Sequence, residues 1–362
     1  MQRIRVDLLI ITFTLASFGV VMVYSSSAIY AYQRFGDSLY FLKRALIYLL
    51  IGTVLGFYLM NTDYRRLANY SRAILVISVA LLILVFLPNF GREVGGARRW
   101  LSIWRLSLQP AEFVKLALIL YLSDFLSRKQ AVVRSILKGL LPPLFISIVI
   151  IGLILLQPDL GTAMLIALIA FTIFFVGGIR PKHIFSVVLP SIPLFYLLIC
   201  RSSYRMKRIL AYLDPWKDPR GSGFQIIQSF IALGSGGLLG LGLGRSQQKL
   251  FYLPQSHTDF IFSIIGEELG LIGTLSIFIL FGLFIWQGAK VSLKSPDLFG
   301  GLLSLGIVLM ISLTAIIHIG VATGSIPTKG LPLPFISYGG SSLICNLAAT
   351  GLLLSVAKQS NQ

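Results

Sequence analysis

The chain has 362 residues, 56% of them hydrophobic and only 12% charged, with a mean hydropathy of +0.85. A soluble globular chain carries roughly twice that share of charge, so a soluble enzyme is excluded and a membrane protein is indicated. The formal net charge of +18, from 31 Lys and Arg against 13 Asp and Glu, does not point to nucleic acid, because the excess is divided between two faces of a membrane.

In chain order, stretches that reach or approach the ~20 apolar residues needed to cross a hydrocarbon core fall at roughly 7 to 28, 40 to 60, 72 to 88, 111 to 127, 140 to 157, 160 to 178, 183 to 200, 260 to 287, 299 to 322 and 333 to 356. None shows the sustained alternation of barrel strands, so helices must satisfy the backbone inside the bilayer. The expected fold is an all-α polytopic membrane protein of about ten transmembrane helices, forming a single domain over residues 1–362. The first span follows Arg3 and Arg5 and precedes small residues, as a signal peptide would. Its apolar region exceeds the ~7 to 15 residues of such a segment, so it reads as an uncleaved anchor. Cys200 and Cys345 fall in or at the edge of spans, which speaks against a disulfide framework and against a Cys/His zinc site.

Basic residues set the topology. With the N-terminus inside, fourteen fall on each face, but setting aside the two longer outer segments (89 to 110 and 201 to 259) leaves fourteen inside against two outside. Both termini are therefore expected in the cytoplasm. The set-aside segments concentrate basic residues, Arg105 among them, on the outer side, where the polyanions at hand are phospholipid head groups and lipid-linked pyrophosphates.

Charges at membrane depth cost at least ~2.5 to 3.5 kcal/mol each, so each calls for a partner or a role. In "QPAEFVK", Pro110 can open a helix, and Glu112 and Lys115 are spaced i, i+3 on one face, either as a structural ion pair or as the lining of a polar cavity. In "QPDLGT", Asp159 stands where it would cap the next helix. Six glycines between Gly234 and Gly244 include a GxGxG pattern with no preceding strand, which fits an interfacial or re-entrant segment better than a dinucleotide site. Prolines and glycines likewise surround Lys329 before the last span, and such broken backbone is tolerated only against protein or a water-filled cavity. The two regions are expected to surround one cavity.

Asp259, Glu267 and Glu268 crowd the start of the span at 260. At about 100° per residue Glu267 and Glu268 fall roughly 80° and 180° from Asp259, so of the two only Glu267 can face the same cavity, as a lining or structural residue. Asp259 after Thr258 is either a helix cap or a functional carboxylate. His257 and His318 read as packing or hydrogen-bonding residues.

"YSSS", "GGARRWL", "QPAEFVK", "QPDLGT", "GFQIIQSFIALGSGG", "LGLGRSQQKLFYLPQSHTDFIFSIIGEELG" and "TKGLPLPFISYGGSS" occur in this order over about residues 20 to 350. Together they resemble the SEDS family of bacterial peptidoglycan polymerases, and "RSQQKLFYLPQSHTDFIF" is more similar to its division branch, FtsW, than to its elongation branch, RodA. The resemblance implies a ten-span enzyme of the bacterial cytoplasmic membrane. Such an enzyme extends glycan strands on the outer face from lipid II and works with a class B penicillin-binding protein and, in division, with FtsQ, FtsL and FtsB. The family's essential aspartate in "HTDF" corresponds to Asp259, and its functionally important tryptophan to Trp100. Gln255 departs from the glutamate often found after "LP".

An inverting glycosyl transfer of this kind needs a base near the acceptor hydroxyl and positive charge near the leaving pyrophosphate. Asp259 can take the proton or hold a divalent cation, Mg²⁺ or Mn²⁺, shared with substrate phosphates. No organic cofactor is implied. Arg98, Arg99, Arg205, Arg208, Lys249 and Lys329 are the candidate pyrophosphate contacts, and the aromatic face of Trp100 can stack on a sugar. Two competing classes are a lipid II transporter, which an internal inverted repeat would favour, and a scaffold without chemistry.

Overall fold

In the computed structural model, residues 1–88, 90–94, 97–103, 106–250 and 252–360 are described; Gly95, Gly96 and Arg105 of the expected outer basic segment lie outside them. Each predicted span coincides with a helix: α1 (Gln2–Phe35), α2 (Tyr40–Asn61), α3 (Tyr64–Leu84), α4 (Pro110–Arg128), α5 (Leu141–Leu156), α6 (Leu160–Val176), α7 (Pro181–Cys200), α10 (Ile261–Leu293), α11 (Leu298–Ala322) and α12 (Gly340–Gln359). Two shorter helices, α8 (Ser203–Leu213) and α9 (Phe224–Gly236), lie in the long 201–259 segment. Among the described residues, seven helical stretches are long and apolar enough to cross a membrane by length and composition: α1, α2, α3, α5 with its leading π turn, α10, α11 and α12. Of the others, α4 carries Glu112, Lys115 and Asp124 and α6 has 17 residues, while α7 is a continuous apolar helix of 20 residues with Pro190 and Pro193 inside it.

The last two long helices form the centre, with α12 enclosed along nearly its whole length. Close approach to α2 depends on small residues, as in membrane helix pairs generally. A Cβ on Gly351 would lie 2.2 Å from the Gly56 carbonyl oxygen, and one on Gly56 would lie 2.9 Å from that of Leu347.

Two features depart from the expected pattern. The segment after α3 forms a three-stranded antiparallel sheet, β1 (Gly91–Val94), β2 (Ala97–Ile103) and β3 (Leu106–Leu108), so the fold is helical with a small sheet between α3 and α4. On β2, Ala97 and Leu101 are buried, and the register against β1 slips at Arg99, which falls between Arg98 (opposite Glu93) and Trp100 (opposite Arg92). The last helix starts at Gly340 instead of near 333, because Pro332 and Pro334 precede a left-handed Phe335 (φ 65°).

Candidate active site

Asp259 sits in the turn that delivers the chain into α10. Gln255 takes a left-handed conformation (φ 59°), and its carbonyl accepts the backbone N–H groups of Thr258 (3.1 Å) and Asp259 (3.0 Å). Its side-chain oxygen accepts from Thr258 Oγ1 at 2.9 Å, which gives this residue a turn-forming role. The turn is stitched to the segment before α12: Ser337 Oγ donates to the Thr258 carbonyl (2.6 Å), and the Tyr338 N–H donates to that of His257 (3.0 Å). From below, His318 Nδ1 donates to the Leu331 carbonyl at 2.8 Å. His257 packs among Tyr30, Phe41 and Tyr338, and burial pulls its pKa down to about 4, so it is a neutral packing group at physiological pH. Both histidines thus take structural places, and both bonds locate the loop that carries Lys329.

Around the half-buried Asp259 carboxylate stand Arg208, Arg99 and Asp159. Burial raises the Asp259 pKa to about 6; Arg208 and Arg99 oppose the rise, and Asp159 adds to it. Asp159 caps α6, as its sequence setting predicts, accepting from Thr162 N–H (3.1 Å) and Thr162 Oγ1 (2.9 Å). Arg99 points inward from β2 and donates from Nε to the Gln157 carbonyl (2.9 Å) and from Nη2 to that of Pro158 (2.7 Å). Arg208, on α8, donates to the Thr328 carbonyl at 3.1 Å and stacks over Tyr204. Lys329 lies beside Asp159, with burial lowering its pKa and the carboxylate opposing that shift. A recessed carboxylate with a raised pKa is thereby set beside two arginines, from β2 and α8, while Lys329 stands by Asp159 with its ammonium on Met164 Sδ (2.8 Å).

The other candidates go elsewhere. Arg98 forms an exposed pair with Glu93 across the β1–β2 ladder (3.5 Å), and Trp100 stands opposite Arg92, past the register slip at Arg99. Arg205 lies one turn before Arg208 on α8. Glu112 and Lys115 pair at 2.8 Å inside the bundle and do not act on the Asp259 carboxylate. Lys249 is buried in a pair with Glu268 (2.7 Å), to which Ser25 Oγ also donates, and so does not stand with the cations around Asp259. Glu267 accepts from Ser246 Oγ and the Gln247 N–H (2.8 Å), which is a structural role. Sequence reading missed Glu268 and Ser25; the signal available was "YSSS" and a second acid beside Glu267.

Among the described residues no cluster of three or more His, Cys, Asp or Glu side chains forms a metal site. Both Asp159 oxygens are engaged by Thr162, so the Asp259 carboxylate is the group open to a cation. It fits Mg²⁺ or Mn²⁺ only if a bound oxyanion completes the coordination.

Helical spans around a recessed carboxylate flanked by two arginines define a polytopic membrane protein with a polar site beside broken backbone. A profile of the FtsW, RodA and SpoVE family, described as "Cell cycle protein", matches residues 6–362, and the chain belongs to this family. It is 46% identical over 353 residues to stage V sporulation protein E of Bacillus subtilis (98% of this chain, 96% of that one). It is 44% identical over 356 residues to the probable peptidoglycan glycosyltransferase FtsW of Geobacter metallireducens (98% and 95%). Among solved structures, a chain of a peptidoglycan synthase complex described as coordinating polymerization and crosslinking superposes with a TM-score of 0.81 at 32% identity, covering 98% of both chains. The rod shape determining protein RodA of Thermus thermophilus superposes with 0.71 at 30% identity, covering 98% of this chain and 97% of that one.

Proposed function

We propose that this protein is a peptidoglycan glycosyltransferase that extends glycan strands from lipid II on the outer face of the bacterial cytoplasmic membrane, in the septal synthesis of cell division. The observation that carries the reading is Asp259, a recessed carboxylate with a pKa raised to about 6 beside Arg99 and Arg208, with Lys329 next to the neighbouring Asp159. Relatives named as peptidoglycan glycosyltransferases at 44% identity support it, and their FtsW designation supports the division branch.

In the reaction, the GlcNAc 4-hydroxyl of the acceptor attacks the MurNAc anomeric carbon of the donor, and undecaprenyl pyrophosphate leaves with inversion. Asp259 accepts the hydroxyl proton, and a base of pKa near 6 is ionised yet not too weak at neutral pH. Arg208 and Lys329 face the developing pyrophosphate charge. Arg99, with two donors committed to the end of α5, acts mainly by holding the sheet against the site. Trp100, next to Arg99 on β2, offers its ring to a sugar. A divalent cation held by Asp259 would supply Lewis-acid stabilisation of the phosphates. The crosslinking relative supports a class B penicillin-binding protein as partner, and the division reading adds FtsQ, FtsL and FtsB.

The test is polymerisation of purified lipid II by the full chain with its penicillin-binding partner, with wild type against Asp259→Asn and with and without Mg²⁺ or Mn²⁺. Glycan from wild type alone is expected, and a metal requirement would assign Asp259 to holding the cation. Equal product from the variant would remove Asp259 from the chemistry. No product from an intact, lipid-bound complex would move the reading to transport or scaffolding.

A further inference from the structure

Helix α10 is two helices in one. Gly270 (φ 65°, ψ −160°) breaks it, so the Glu267 and Glu268 carbonyls lose the N–H groups of Leu271 and Ile272 that would follow four residues later. The glycine-rich segment that follows α9 fills the gap. Leu241 and Gly242 donate to the Glu267 and Glu268 carbonyls (2.9 and 3.0 Å), while Leu271 and Ile272 donate to those of Gly237 and Leu238 (2.9 and 3.3 Å). The orphaned groups at the break are satisfied by a spliced-in backbone segment, which is what allows a broken helix at membrane depth.

The side chains of the same two glutamates hold the next stretch of chain. Glu267 gathers Ser246 and Gln247; Glu268 takes Lys249 Nζ at 2.7 Å and Ser25 Oγ at 2.8 and 2.7 Å on its two oxygens. Lys249 and Glu268 expose 4% and 0% of their side chains, and Lys249 Nζ also donates to Ser25 Oγ at 3.3 Å. The ammonium is thus turned into the protein, onto α1. From Lys249 the chain runs through the Gln255 turn to Asp259 and straight back into the outer half of α10, residues 261–269.

We propose that Lys249 and Glu268 are positioning residues: their buried pair, anchored to Ser25, fixes the outer half of α10 against α1 and so sets where Asp259 stands. This rests on Asp259 being the catalytic carboxylate. A buried ion pair adds little net stability over apolar side chains of the same size, because desolvation of both ions offsets their attraction; what it supplies is a defined relative position.

The experiment compares wild type, Lys249→Met, Lys249→Arg and the exchanged pair Lys249→Glu with Glu268→Lys, all as the full chain. Lipid II polymerisation is read as turnover and half-saturation separately, and hydrogen exchange is followed over 252–262 and over α11 and α12. Lys249→Met is expected to lower turnover at least tenfold at unchanged half-saturation and to speed exchange over 252–262 alone. The exchanged pair is expected to recover turnover to within about threefold. A raised half-saturation with turnover kept would make Lys249 a substrate contact and overturn the proposal. So would unchanged exchange over 252–262, or faster exchange throughout with neither Lys249→Arg nor the exchanged pair recovering activity. If Asp259→Asn retains activity the functional reading fails, while the exchange data still decide whether the pair fixes this segment.

Discussion

A Cβ placed on Gly330 would lie 2.9 Å from Asp259 Oδ2, so the loop after α11 backs the carboxylate with bare backbone. The atom that must move is the end of a side chain, which makes Gly330→Ala cheap for the fold and costly for the site. A shift on the order of 1 Å in a reacting group costs about 100-fold. Gly330→Ala is expected to lower lipid II polymerisation about 10- to 100-fold with the melting temperature within about 2 °C of wild type. Loss of both together would show that the contact serves folding.

The raised Asp259 pKa has a sign that stability and activity read in opposite ways. Between its ordinary value of 3.8 and about 6 the folded protein holds a proton that the unfolded chain releases, so stability falls as pH rises through that window and the penalty persists above it. Two units correspond to at most about 3 kcal/mol for this half-buried group. Asp259→Asn is expected to melt higher than wild type at pH 7.5, with the difference vanishing below about pH 4. In wild type, polymerisation is expected to rise with a midpoint near pH 6, and Arg208→Met to move that midpoint upward. A flat profile from pH 5 to 8 would contradict a proton-accepting role.

Sequence reading reached the long apolar helices because about twenty apolar residues are a direct physical requirement of the bilayer. It also reached the Asp159 cap, which a short-range setting decides, whereas the setting of Asp259 left cap and functional carboxylate open and its role came from the family resemblance. The β1–β3 sheet escaped because its strands are short and rich in arginine, outside the membrane, where hydropathy carries no signal. Lys249–Glu268 escaped for another reason: its partners are nineteen residues apart and meet only because Gly270 breaks α10. Helical phase counted from Asp259 did not apply, because α10 begins at Ile261, and Glu267 and Glu268 both hold the 246–249 segment.

The splice at Gly270 predicts which glycines tolerate a side chain. A Cβ on Gly240 would lie 2.2 Å from the Glu268 carbonyl oxygen, one on Gly236 1.9 Å from that of Gly266, and one on Gly270 2.4 Å from the Gly240 nitrogen. Each obstacle is backbone, which has no flexible end to yield. Gly234 and Gly282, near in sequence and on the same helices, meet nothing within 4 Å. Alanine at 236, 240 or 270 is expected to lower the yield of folded, membrane-inserted protein several-fold, whereas Gly234→Ala and Gly282→Ala leave it unchanged, as read by size-exclusion chromatography in detergent.

The Glu112–Lys115 pair allows a clean separation of structure from chemistry. Its 2.8 Å contact is enclosed at 3% and 4% side-chain exposure, on a helix whose first N–H groups are met in part by Ser341 Oγ accepting from the Gln109 N–H. Removing one partner leaves a bare charge in the bundle and costs about 3 to 5 kcal/mol, while replacing both by apolar residues of similar size costs little. Lys115→Met is therefore expected to lower the melting temperature by several degrees, and Lys115→Met with Glu112→Leu to restore it. If the pair is only structural, polymerisation returns with stability in the double variant. If the bundle uses these charges to line a path for a polar head group, the double variant folds normally and stays inactive. Thermal melting and lipid II polymerisation on the same preparations distinguish the two, and the absence of any surrounding charge acting from this pair on Asp259 favours the first.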